Sequence, residues 1–86
     1  MAKVLTELEK TILLSVLILT RGDTTKLFKE EDIVIKFPMR QRKNVRRFFR
    51  KLVKDGYILE VEGKFKLSEE GLKTSSRLLY EGGTFV

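Results

Sequence analysis

The sequence predicts a mainly α-helical domain with a small β-hairpin, an α+β class. Three observations predict it. Apolar residues recur at helical spacing in two stretches, Leu5–Leu19 and Val45–Val53. Between Tyr57 and Leu67 two short β-prone runs flank Gly63, as in a hairpin. Gly22, Gly56 and Gly82-Gly83 stand where helices would end. The chain has 86 residues, 42% of them hydrophobic, which supports one modest core and a single domain spanning 1–86.

The first helix is expected over Glu7–Leu19. Thr6 and Glu9 have the spacing of a capping box, and Leu5, Leu8, Ile12, Val16 and Leu19 form one stripe. Arg21-Gly22-Asp23 ends it. Thr24–Phe28 reads as a short strand and Lys29–Phe37 as a second helix, with Glu30, Glu31 and Asp32 at its positive N-terminal end. Ile33-Val34-Ile35 is β-branched, however, and suits a strand as well as a helix. Pro38 must break or begin an element, because it lacks an N–H and restricts Phe37.

Gln41–Asp55 is the clearest helix. Val45, Phe48, Phe49, Leu52 and Val53 fall within an arc of roughly 140°, so the aromatic pair reads as core and not as a base-stacking platform. Gly56 ends this helix, and strands Tyr57–Val61 and Phe65–Leu67 follow. Placing Leu59 and Val61 on the face shared with Phe65 and Leu67 requires a three-residue loop, Glu62–Lys64. A two-residue Glu62-Gly63 turn would oppose Val61 with Lys64 and mix the faces. Ser68 caps a last helix, with Glu69 and Glu70 in its first turn, that runs to about Tyr80 and stops at Gly82-Gly83.

Net charge is +6, and its distribution is uneven. Residues 36–54 hold nine of the eighteen basic residues and none of the twelve acidic ones, so the rest of the chain is net −3. Lys43, Arg46, Arg47, Arg50, Lys51 and Lys54 share the polar arc of the basic helix. Lys43/Arg47, Arg46/Arg50, Arg47/Lys51 and Arg50/Lys54 are like-charge pairs at i, i+4. Each costs a few tenths of a kcal/mol when no polyanion is present. A solvated face normally interleaves both signs, so this face points to nucleic acid.

The absence of Cys and His excludes disulfides, His-based metal sites, and Ser/His/Asp or Cys/His catalysis. The expectations are no catalytic residues, no metal, no cofactor and no enzymatic activity. Ile12–Leu19 is too short to span a membrane and lacks the features of a signal peptide, so a cytoplasmic protein without a membrane partner is expected.

The order of helix, possible strand, helix, basic helix, hairpin and helix resembles the winged helix-turn-helix domains of archaeal and bacterial transcriptional regulators, such as the MarR and ArsR groups. Leu52-Val53-Lys54-Asp55-Gly56-Tyr57-Ile58 is similar to the end of that family's recognition helix. Phe65-Lys66-Leu67-Ser68-Glu69-Glu70-Gly71 is similar to its last wing strand and following helix. The resemblance covers nearly the whole chain. It implies a three-helix core, a two-stranded wing, a C-terminal helix and binding to double-stranded DNA as a transcriptional regulator. One departure is the short wing, which carries Glu60 and Glu62 beside Lys64 and Lys66.

If residues 41–55 form a recognition helix, Gln41, Lys43, Asn44 and Arg47 are the candidates for base edges. Arg40, Arg42, Arg46, Arg50, Lys51 and Lys54, with Lys64 and Lys66 of the wing, are the candidates for phosphate. The alternatives are a low-specificity binder of chromatin or RNA and a winged-helix module that docks on an acidic protein.

A homodimer is also expected. The first helix is apolar all round, so Leu13, Leu14, Leu17 and Ile18, with Leu78 of the last helix, are candidates for an interface. The competing expectation is that the last helix covers this second face and leaves a monomer.

Overall fold

The computed structural model describes residues 4–81. Among them are four α-helices and two strands: α1 (Glu7–Thr20), α2 (Glu30–Val34), α3 (Arg42–Lys54), β1 (Ile58–Val61), β2 (Lys64–Leu67) and α4 (Glu69–Glu81). A 3₁₀ turn, Met39–Gln41, leads into α3. The chain is thus a mostly helical α+β domain with one antiparallel hairpin.

The capping box forms as the spacing requires: Glu9 N donates to Thr6 Oγ1 at 3.2 Å, and Thr6 N donates to Glu9 Oε1 at 2.9 Å. This exchange satisfies the carboxylate of Glu9, which is otherwise buried. Helix α1 runs one residue beyond Leu19. It ends with two residues in the left-handed region, Arg21 and Gly22, whose amides return to the carbonyls of Ile18 and Leu17. In the following turn Asp23 accepts from the amide and hydroxyl of Thr25, which holds its carboxyl below the ordinary range.

The segment between α1 and α3 departs most from expectation. Only Phe28 of the expected strand pairs, in a two-bond bridge to Phe65 on the free side of β2. The expected helix Lys29–Phe37 shortens to α2, only five residues long. Lys29 N donates to the Asp32 carboxylate at its start. Its end is set by the chain preparing for Pro38: Phe37 must leave the α region, and turn bonds from Ile35, Lys36 and Phe37 tighten the exit. The helical reading of Ile33-Val34 holds, and both side chains are fully buried.

The hairpin register is also corrected. The pairs are Ile58 with Leu67, Leu59 with Lys66, Glu60 with Phe65 and Val61 with Lys64. The turn is the two-residue Glu62-Gly63, both at positive φ (51° and 85°), the conformation whose twist suits a tight hairpin. Leu59 and Val61 therefore face out beside the lysines, 42% and 36% exposed, and Ile58 faces in with Phe65 and Leu67.

Helix α1 packs against α2, α3, α4 and β2. Ile12, Leu13 and Val16 meet Ile33, Val34, Val45, Leu52, Ile58 and Leu67 in one fully buried cluster. Phe28, Phe49 and Phe65 form an aromatic group beside it, with Phe49 edge-on to each of the other two. Ser68 Oγ accepts from Gly71 N at 2.9 Å and donates to Gly56 O at 2.6 Å, so one hydroxyl starts α4 and ties it to the end of α3. The expected stop at Gly82-Gly83 lies outside the described residues. Among the described residues, no helix is long and apolar enough to cross a membrane.

Candidate nucleic-acid interface

Helix α3 is held by its inner face. Val45, Phe49 and Leu52 are fully buried, and Phe48 and Val53 are half-buried beside them. At about 100° per residue, Lys43, Arg47, Lys51 and Lys54 then fall within roughly 80° of arc on the side opposite this anchor. All four are exposed, as is Asn44 at their edge. Among the described residues none of these four cations makes an ion pair. The guanidinium of Arg47 lies 5.8 Å from the centre of the Phe48 ring, a cation–π contact that limits where it points. Arg47, Phe48, Lys51 and Lys54 border a shallow depression of about 430 Å³ together with Arg50 and Asp55. Gln41 and Arg40 are exposed in the 3₁₀ turn that extends the helix at its N-terminal end.

Three arginines from the expected phosphate set have partners inside the chain. Arg42 donates from Nε to Phe37 O at 3.0 Å and from Nη2 to Ile35 O at 3.4 Å. It straps the start of α3 to carbonyls left open at the end of α2, a structural task the sequence did not suggest. Arg46 pairs with Glu31, and Arg50 with Glu30 at 3.2 Å. Both glutamates come from the first turn of α2. Their sequence separations of 15 and 20 residues carry no periodic signal, so sequence reasoning saw them only as favourable charges at a helix start.

The hairpin stands on the α2 side of α3. Glu60, Glu62 and Lys64 join Lys29, Glu30, Glu31 and Arg50 around a cleft of about 440 Å³. Four carboxylates there meet three cations, and Arg46, paired with Glu31 beside the cleft, makes a fourth, so this flank carries no net positive charge. Among the described residues, no group of acidic side chains is arranged to hold a metal ion. Lys64 is exposed and Lys66 half-buried, both on the outer face of the hairpin. Met39, 79% exposed at the first position of the 3₁₀ turn, is an apolar neighbour of the basic face that the sequence reading passed over.

The residues expected at a dimer interface divide. Leu13 is fully buried in the core and has no surface for a second chain. Leu17 and Leu78 pack against that core, and Leu72 lies against Gly22 close to Leu17, where α4 covers α1. Leu14 is half-buried, and Ile18 is 69% exposed.

Compared with known protein families, with curated proteins and with solved structures, the chain has no match.

Proposed function

We propose that this chain is a winged helix-turn-helix protein that binds double-stranded DNA and regulates transcription, with α3 as the recognition helix and β1–β2 as the wing. The observation that carries the reading is the exposed face of α3: Lys43, Arg47, Lys51 and Lys54 within one narrow arc, with no acidic partner among the described residues. A helix so charged is self-repelling until a polyanion binds it. Its width matches the major groove of a duplex. A duplex is favoured over a single strand because Phe28, Phe49 and Phe65 are spent on one another in the core, and Phe48, the aromatic residue bordering the basic depression, is half-buried with the Arg47 guanidinium near its ring.

In this reading Gln41, Lys43, Asn44 and Arg47 meet base edges, and Arg40, Lys51 and Lys54 hold phosphate. No step of catalysis and no cofactor is needed. The partner arrangement proposed with it is a homodimer through the part of α1 that α4 leaves uncovered, Leu14 and Ile18, which would present two recognition helices to a palindromic site.

The test is selection of bound sequences from a random duplex library, followed by competition. A regulator yields a recurring motif whose complex survives excess random duplex. Tight binding without a motif assigns the same face to low-specificity packaging, and no gel shift on any duplex removes the DNA reading.

A further inference from the structure

We propose that Glu30 and Glu31 act as internal competitors for phosphate, limiting how tightly this chain holds any duplex regardless of sequence. The inference rests on the duplex-binding reading above and deepens it, since it concerns the flank of the same helix.

Arg46 and Arg50 lie one turn apart along the α2 side of α3, and each is met by one carboxylate from the first turn of α2. The second pair is unequal. Arg50 is 71% exposed, whereas the side chain of Glu30 is only 12% exposed. Glu30 Oε1 accepts from Arg50 at 3.2 Å, and its Oε2 is buried with no hydrogen-bond partner. Arg50 is thus the counter-charge of a carboxylate already withdrawn from water. A phosphate that draws Arg50 away must leave Glu30 buried and unpaired, which is the costly way to break such a pair.

Glu60 and Glu62 of the hairpin share this flank with Lys29 and Lys64. A phosphate arriving from the α2 side therefore meets two arginines already occupied by carboxylates, on a flank with no net positive charge. One arriving over the far side meets Lys43, Arg47, Lys51 and Lys54. The glutamates thus favour one of the two backbone strands that border the groove, and they set a ceiling on affinity for random DNA.

The test compares the full chain with the double variant Glu30→Gln, Glu31→Gln and with Glu31→Gln alone, on a labelled random-sequence duplex over a range of potassium chloride. Glutamine keeps the size and an acceptor oxygen but removes the charge. The double variant is expected to bind about three- to tenfold more tightly at low salt, with a slope of log K against log salt steeper by about one to two units. That gain should shrink at high salt. Glu31 is 57% exposed, so its single variant stays folded, and its expected gain of about twofold decides the matter if the double variant unfolds. A parent that binds duplex, with variants of the same affinity and slope, overturns this inference alone. A parent that binds no duplex overturns the DNA reading and this inference with it.

Discussion

The salt dependence of binding follows directly from how α3 sits in the fold. Residues 36–54 carry nine cations, and if all of them met phosphate, a slope of about −8 would follow at about 0.9 counterion per contact. The structure withdraws several of them. Arg42 is bound to the carbonyls of Ile35 and Phe37, Arg46 and Arg50 are paired with Glu31 and Glu30, and Lys36 lies before the turn. Arg40, Lys43, Arg47, Lys51 and Lys54 remain, which gives a slope of about −4.5 per bound protomer. Raising salt from about 50 to about 200 mM should then weaken binding roughly 500-fold, where nine contacts would weaken it by more than about 10⁴-fold. The assay is fluorescence anisotropy on a random duplex of about 20 base pairs, with stoichiometry measured separately so that the slope is expressed per protomer. Lys54→Ala should make the slope shallower by about one unit, and Arg50→Ala by clearly less. A slope shallower than about −2 refutes the electrostatic account of the face. A slope of about −6 shows that the glutamates surrender both arginines to DNA.

Three further outcomes are expected. Asn44→Ala or Arg47→Ala should cost about 1–3 kcal/mol on a selected site and much less on random duplex; equal losses on both, measured by the same titration, mean that these residues only hold phosphate. Gly71→Ala would place a Cβ 2.1 Å from the carbonyl oxygen of Tyr57, in a contact between two backbones that no rotamer relieves. A loss of about 1–3 kcal/mol or more is expected, read as a fall in Tm of roughly 5–20 °C, and an unchanged Tm contradicts the packing described at the start of α4. By light scattering at micromolar concentration the parent should be a dimer and Ile18→Glu a folded monomer; a parent that is monomeric at every concentration removes the dimer, and a Leu14→Glu variant that unfolds assigns Leu14 to the core.

Local chemistry made much of this molecule legible before its fold was known. Thr6 and Glu9 specify the start of α1 within four residues, Ser68 specifies that of α4, and the spacing of Val45, Phe49 and Leu52 orients α3, so its basic arc must face away from the core. Such signals need only neighbours within a turn or two. What the tertiary structure decided involves partners far apart in sequence. Apolar content favoured Leu59 and Val61 as the inner face of β1, yet Ile58 is the residue that reaches the core opposite Leu67. The next position on that face, Glu60, is in solvent although Phe65 opposite it is buried, since Phe28 and Phe49 pack on Phe65 of β2. The length of α2 depended on where Phe37 had to bury ahead of Pro38. The division of the arginines depended on α2 packing beside α3. Composition counts charges, but only the fold brings Glu30 and Glu31 within reach of Arg50 and Arg46, because Coulomb attraction acts through distance in space and helix spacing cannot report it.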